Sequence, residues 1–405
     1  MVKRPSSIDR LDRAAAANAI DRGLLNRYPL FSDMVTRAGR RIPRRVAGYL
    51  LGGADSERGL AENMAAFQRI QLLPRYGIDV TTRSTKIDLF DRTYSAPIGV
   101  APVGYTSAIW PGAERALAEA AERANLPFIT STFAIEPMET IAKLAPTVAW
   151  FQLYYFQSMD TTLDLVKRAA LAGIKVIALT IDIPAYSKRT RDHRNGMEFP
   201  PVVTPKLLWE VAQTPTWAME FLKRPYPLPG NLMPYARNPR GGEAAMRELF
   251  AATGTQAITW DEIRTIRKAW PGKLVLKGIQ HPDDAELAVA AGADGVIVSN
   301  HGGRQLDAAP ASIDSLPAIA ERVGERMTVM LDSGVRSGLD VVKAMGRGAR
   351  CCFAGRPFVA ACAAAGNRGA PYAMQLFQDE IDTAFGQLGI RSVHEAIGDR
   401  AREFH

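Results

Sequence analysis

Between residues 97 and 356, eight short apolar segments alternate with stretches of helical spacing. The segments are 97–101, 127–130, 148–152, 176–180, 274–277, 295–299, 328–331 and 350–354. Short apolar runs without polar alternation read as strands covered on both faces, which is the pattern of parallel strands packed under helices. The intervening stretches carry helix signals. After His281 come Pro282, Asp283 and Asp284 in a first turn, and Gly292 lies just past the end. Ile313, Leu316, Ile319, Ala320 and Val323 form one apolar stripe. Eight such units in one chain predict an α/β fold, a (β/α)8 TIM barrel in preference to an open doubly wound sheet.

The residues that close each segment support that choice. In order they are Gly104, Ser131, Gln152 with Tyr154, Thr180 with Asp182, Lys277, His301 with Arg304, Asp332 with Gly334, and Gly355 with Arg356. In a barrel these ends converge on one face, where active sites are built. Two parts exceed a minimal barrel. Residues 1–90 read as helices, one of them over 44–52, plus a connecting segment that packs on a barrel domain of residues 91–405. Residues 183–256 form a long insertion between the fourth and fifth strands. It holds Trp209, Trp217, Phe221, Tyr226 and Leu228 beside Lys223 and Arg224, with prolines from Pro200 to Pro239. Aromatic, aliphatic and basic residues mixed in this way suit a membrane interface. They also suit an excursion that packs on its own barrel or on a neighbouring subunit.

The chain has 405 residues, 47% of them hydrophobic and 23% charged, as in soluble globular proteins. No apolar run approaches the roughly 18–20 residues of a membrane span, and the start of the chain lacks the apolar core of a secretory signal. Three cysteines, two of them the neighbours Cys351 and Cys352 in an apolar run, point to structural thiols in a reducing compartment. The net charge is +8, and residues 1–45 carry eleven Lys/Arg against four Asp/Glu. That bias fits a solvated helical face or an anionic membrane surface. No zinc-ligand spacing, basic heptad region or aromatic ribonucleoprotein motif accompanies it, which argues against nucleic acid.

The densest chemistry lies in Ser299-Asn300-His301-Gly302-Gly303-Arg304-Gln305-Leu306-Asp307. His301 can take a proton near neutral pH, Arg304 can grip a carboxylate with two parallel hydrogen bonds, and the glycines admit a close backbone approach. Asp182 is either the carboxylate partner that orients His301 or a turn cap. Arg189, in the basic run from Lys188 to Arg191, is a second arginine within reach of an acid or an exposed loop residue. Lys277 stands at the barrel mouth as a fixed positive charge or as a Schiff-base lysine. Gly334 with Arg336 and Gly355 with Arg356 form a phosphate cradle at the last two strand ends, or ordinary turns.

With these residues in hand, the chain resembles the FMN-dependent L-2-hydroxy-acid oxidising enzymes: glycolate oxidase, lactate oxidase, L-lactate dehydrogenase and (S)-mandelate dehydrogenase. The likeness runs from about Tyr28 to the C-terminal helices. The 299–307 motif carries it most specifically, and Gly53-Ala54, Leu60-Ala61-Glu62-Asn63, Phe151-Gln152-Leu153-Tyr154, Leu276-Lys277-Gly278 and Asp332-Ser333-Gly334-Val335-Arg336 also fall in family order. The resemblance implies FMN as cofactor and oxidation of a lactate- or mandelate-like L-2-hydroxy acid to the 2-keto acid. It implies His301 as base, supported by Asp182, with Arg304 and Arg189 on the substrate carboxylate and Tyr49, Tyr154 and Phe133 around the substrate. Val103, Gly104, Ser131, Gln152, Thr180, Lys277 and Ser299 would border the flavin ring. Asp332 would hold the ribityl chain, and Gly334, Arg336, Gly355 and Arg356 the phosphate. No metal is implied.

Departures within the family refine the expectation. Phe133 stands where plant-type glycolate oxidases have Trp, and Gly104 where they have Ala, which leaves room for a bulkier substrate side chain. Ser333 replaces a glycine of the oxidases and matches the lactate and mandelate dehydrogenases, as does the aromatic insertion. Ser333 and the insertion favour an enzyme peripheral to the inner face of the cell membrane, passing electrons to quinone or another respiratory acceptor, and the resemblance implies a homo-oligomer, a tetramer. The alternative is a soluble oxidase that uses O2 and releases H2O2. A flavin barrel isomerase or phosphate-binding lyase would share the phosphate cradle but not the His301, Arg304, Asp182 and Arg189 set.

Overall fold

Every expected strand forms, and the eight close on one another. A computed structural model describes residues 20–156, 158–197, 204–224, 228–236 and 257–397. A short antiparallel hairpin of β1 (Ile87–Leu89) and β2 (Arg92–Tyr94) comes first. The barrel strands are β3 (Ile98–Val100), β4 (Phe128–Thr130), β5 (Ala149–Tyr154), β6 (Val176–Thr180), β7 (Lys273–Ile279), β8 (Gly295–Val298), β9 (Thr328–Leu331) and β10 (Cys351–Ala354). They pair in parallel and in chain order, and β10 closes the ring on β3 through Cys352 opposite Ile98. Every residue of β3, β4, β6, β8 and β10 is buried, the two-faced burial that their unbroken apolar runs anticipate. The apolar stripe of 313–323 lies on the helix Ser312–Val323, with Ile313, Leu316, Ile319 and Val323 against the core.

The hairpin is the element that the sequence pattern did not show, and it straddles the expected boundary between residues 90 and 91. Its turn places Phe90 5.8 Å from the Trp150 ring, and Tyr94 accepts the Trp150 indole N–H at 3.0 Å. Trp150 and Gly295, which also faces Phe90, lie near the starts of β5 and β8. The hairpin therefore covers the N-terminal end of the barrel and leaves the C-terminal end for chemistry.

The N-terminal helices pack on the helices that follow the last strand. Phe31, Met34 and Ala38 form the buried stripe of the helix Phe31–Arg41, which sets the Phe31 ring 4.3 Å from that of Phe377 in a tilted contact. Arg41 from its last turn donates to the carbonyls of Ala363 and Ala364. The next helix, Arg44–Leu51, carries Tyr49 to the C-terminal mouth.

Among the described residues, the insertion between β6 and β7 carries the short helix Thr190–Asn195 and then the helices Pro205–Ala212 and Pro215–Leu222, each of these last two opening on a proline. It faces both ways. Trp217 is 7% exposed, donates its indole N–H to the Ile109 carbonyl and stacks on Phe221, whereas Trp209 is 66% exposed. Leu208, Met219 and Leu222 are exposed as well. Asn231 ties the insertion back to the barrel by donating to the Ser131 carbonyl and accepting from the Met138 amide. Residues 1–19 of the basic segment, and Pro200, Tyr226, Pro239 and residues 237–256 of the insertion, lie outside the described residues. Among the described residues, no helix is long and apolar enough to cross a membrane.

Barrel closure leaves no space at Gly99 in β3, where a Cβ would fall 2.6 Å from the Phe353 ring and 2.7 Å from Pro127. Gly99→Ala is expected to lower stability by about 1–3 kcal/mol through overpacking, measured as a reduced denaturant midpoint with an unchanged slope.

Candidate active site

The strand ends enclose a cavity of about 480 Å3 at the C-terminal face. Tyr49, Val103, Gly104, Ser131, Phe133, Tyr154, Thr180, Arg189, Lys277, His301, Arg304, Asp332, Gly334, Arg336, Gly355 and Arg356 line it. Asp182, Gln152 and Ser299 stand one layer behind, bonded to His301, to Ser131 and to Lys277.

His301 follows β8 on a turn in which it, Gly302 and Gly303 all have positive φ, at 57°, 69° and 71°. The left-handed region is costly for a histidine, so other interactions must hold the turn. The imidazole Nδ1 lies 2.9 Å from Asp182 Oδ1, and both side chains are largely buried. Burial raises the Asp182 carboxyl, but the His301 imidazole and the Lys277 ammonium outweigh it and hold the group below its ordinary value. An ionised carboxylate on Nδ1 fixes the ring and leaves Nε2 to take a proton.

Arg304 is anchored from behind. Its Nη1 donates to the carbonyls of Tyr49 and Gly52 at 2.7 and 2.9 Å, and the guanidinium lies 4.8 Å from the Tyr49 ring centroid. Burial and then the charge of Arg189 lower its pKa from the usual arginine value. Asp192, absent from the sequence expectations, sits 4.0 Å from Arg304 Nη2 with its Oδ1 unpartnered among the described residues. Across the cavity, Tyr105, Phe133 and Tyr154 make an aromatic wall with centroid separations of 6.1 and 5.5 Å. Burial, followed by the nearby Asp182 charge, pushes the Tyr154 hydroxyl far above its ordinary range, so it remains a donor.

Lys277 and Asp332 form a buried ion pair at 2.9 Å, and Lys277 also donates to Ser299 Oγ at 2.8 Å. Burial alone would lower the lysine, and Asp332 and Asp182 reverse that shift to an upward one. The pairing favours the fixed-charge reading of Lys277 over the Schiff base, which needs a neutral amine. At the last two strand ends Arg336 and Arg356 both reach the cavity. Arg356 is braced by the carbonyls of Leu50, Gly52 and Gly302.

Other supports escaped the sequence reading. Asn63 and Asn300 exchange side-chain hydrogen bonds at 2.8 Å in both directions. Arg45, on the Tyr49 helix, pairs with Glu210 of the insertion at 3.2 Å and donates to the Gly196 carbonyl. Their partners lie far away in the chain, so no local spacing marks them. Asn63 does fall in the Leu60-Ala61-Glu62-Asn63 run of the family likeness, the one signal that could have found it.

A family model for FMN-dependent dehydrogenases matches residues 38–402. The chain belongs to that family. It is 38% identical over 364 residues to an L-lactate dehydrogenase of Caulobacter vibrioides, covering 89% of this chain and 94% of that one. An L-lactate dehydrogenase of Pseudomonas aeruginosa is 36% identical over 370 residues, with coverage of 91% and 96%. Among solved structures, a monotopic membrane protein, (S)-mandelate dehydrogenase, superposes with a TM-score of 0.87 at 30% identity, covering 93% of this chain and 98% of that one. A mandelate oxidase with (S)-4-hydroxymandelic acid gives 0.79 at 34% identity, covering 91% and 98%. This chain is an FMN-dependent oxidoreductase of 2-hydroxy acids.

The cavity fits the cofactor. Gln152 Nε2 and Thr180 Oγ1 are buried polar atoms without partners among the described residues, suited to the polar edge of a flavin ring. Lys277, Arg336 and Arg356 add cationic charge for a ring carbonyl and a phosphate. Arg304→Lys would keep the charge and lose the double anchor on Tyr49 and Gly52. Its KM for a 2-hydroxy acid is expected to rise about 10–100-fold, with the flavin absorbance of the purified protein unchanged.

Proposed function

We propose that the chain oxidises a lactate- or mandelate-like L-2-hydroxy acid and passes the electrons to quinone or another respiratory acceptor at a membrane surface. The 2.9 Å contact of His301 Nδ1 with Asp182 beside the anchored Arg304 carries the reading of the substrate site. Arg304 and Arg189 bind the substrate carboxylate, while Tyr49 and Tyr154 orient it by hydrogen bonds. His301 Nε2 takes one proton from the substrate, and Asp182 stabilises the resulting imidazolium. FMN, when bound, would supply the acceptor for the two electrons and for the substrate's second hydrogen. Lys277 would set a positive charge against its ring, which Val103, Gly104, Ser131, Gln152, Thr180 and Ser299 would border. Asp332 would hold the ribityl chain, and Gly334, Arg336, Gly355 and Arg356 the phosphate. A Cβ at Gly104 would lie 3.3 Å from Phe133 and 3.6 Å from the Tyr49 hydroxyl, so the glycine keeps open the space an aryl side chain would need.

Two observations support the place at a membrane surface. The insertion turns Leu208, Trp209, Met219 and Leu222 outward, and Lys206, Lys223 and Arg224 flank them. Apolar side chains rimmed by cations fit an anionic bilayer interface on the inner face of the cell membrane. The structural similarity to a monotopic (S)-mandelate dehydrogenase agrees with that arrangement. A homotetramer is the assembly proposed.

Three measurements test this. In His301→Ala, flavin should stay bound while its anaerobic bleaching by a 2-hydroxy acid slows by about 10²–10⁴-fold; near-wild-type bleaching would remove His301 from the role of base. Replacing Leu208, Trp209, Met219 and Leu222 together by Glu should abolish retention on anionic vesicles while dye-linked turnover persists. Peroxide release in air at the rate of dye-linked turnover would instead make the enzyme an oxidase.

A further inference from the structure

The turn that presents His301 needs an external tether, and one side chain supplies it. His301, Gly302 and Gly303 are three successive left-handed residues, and each amide is met by a side-chain oxygen. His301 N donates to Ser299 Oγ at 3.0 Å and Gly303 N to Asn300 Oδ1 at 3.1 Å, both within the same loop. Gly302 N donates to Ser333 Oγ at 2.8 Å, across the gap to the end of β9. Ser333 has no rotational freedom left in this arrangement. Its own proton goes to Asp332 Oδ1 at 2.9 Å, which directs a lone pair at the Gly302 amide. Asp332 Oδ2 meets Lys277, Lys277 donates to Ser299 Oγ, and Ser299 Oγ accepts the His301 amide. The bonds thus close a ring around the base: Lys277, Ser299, the His301–Gly302 backbone, Ser333, Asp332 and back to Lys277.

Ser333 itself sits at φ 73°, a conformation in which a Cβ is strained and glycine is not. Space and backbone would be better served by glycine, so the hydroxyl is what the position gains from serine. We propose that Ser333 is a positioning residue for His301: its hydroxyl holds the left-handed turn at the setting in which the imidazole meets both Asp182 and the substrate. The proposal rests on the reading of His301 as base. It adds that the base is aimed from the neighbouring strand end and coupled, through Asp332, to the buried Lys277 charge.

Two variants separate the hydroxyl from the backbone. Ser333→Gly removes the hydroxyl and relieves the strain; Ser333→Ala removes the hydroxyl and keeps the strain. Both should lower the first-order rate of anaerobic flavin reduction by about tenfold, the scale of one lost buried hydrogen bond. Substrate KM and bound flavin should stay within about twofold, because neither carboxylate nor phosphate contacts change. The Tm should fall further in Ser333→Ala than in Ser333→Gly, so that rate follows the hydroxyl and stability follows the Cβ. In the substrate-free holoenzyme, the NMR signal of the His301 Nδ1 proton should shift or broaden in both variants. Wild-type reduction rate and an unchanged imidazole signal in Ser333→Gly would overturn the proposal, as would a rate loss that scales with Tm across the two. A parallel His301→Ala control keeps the two readings distinct: an inactive control beside wild-type Ser333 variants rejects only the tether, whereas an active control rejects the base.

Discussion

A lysine buried at a strand end is the constraint around which the mouth of this barrel is arranged. Taking an ammonium out of water costs several kcal/mol unless it is paired and hydrogen-bonded. Lys277 on β7 meets that cost by reaching over β8 to Asp332 at the end of β9, with Ser299 between them. Asp182, from the β6 end, feels the same charge. Four consecutive strand ends are therefore drawn into one electrostatic unit, and His301 stands in the middle of it. The parallel barrel places these four ends side by side on one face, so the register of the strands and the geometry of His301 are one problem.

A second constraint joins the interior to the surface. The Arg45–Glu210 pair is buried on both sides, and Arg45 also bonds the Gly196 carbonyl at the end of the Thr190–Asn195 helix. That helix starts next to Arg189, and the Arg45 helix carries Tyr49. Glu210 belongs to the helix that turns Leu208 and Trp209 outward. One ion pair thus spans the substrate-facing helix, the arginine-bearing helix and the exposed apolar helix. Removing either partner would strand a buried charge, at a cost of about 3–5 kcal/mol, and would loosen three elements together.

What could be read from the sequence follows from the range of the forces involved. The eight strands were legible because two-faced burial leaves an unbroken apolar run, and the His301 motif because its chemistry is contiguous in the chain. The β1–β2 hairpin was not legible: its strands, Ile-Asp-Leu and Arg-Thr-Tyr, are three residues long, too short for an alternating pattern to stand out, although Ile87, Leu89 and Tyr94 are all buried. Trp209 and Trp217 look alike in composition, yet one faces out and the other bonds Ile109, a distinction that depends on a partner 108 residues away. Asp192, Ser333 and the Arg45–Glu210 pair share that difficulty, since each gains its meaning from a residue distant in the chain.

The charge of the cavity ties the two halves of the site together. Lys277, Arg189, Arg304, Arg336 and Arg356 line it against Asp192 and Asp332, a surplus of three positive charges. Burial depresses Arg356 most, and Arg336 and Arg304 depress it further, so the arginines repel one another at close quarters. Such a cluster favours anions strongly, because each anion that enters both gains its own hydrogen bonds and relieves that repulsion. A phosphate contributes about 1.5 to 2 negative charges near neutral pH, and a substrate carboxylate contributes one more. Under the proposed assignment, a phosphate and a substrate carboxylate together carry about that much negative charge.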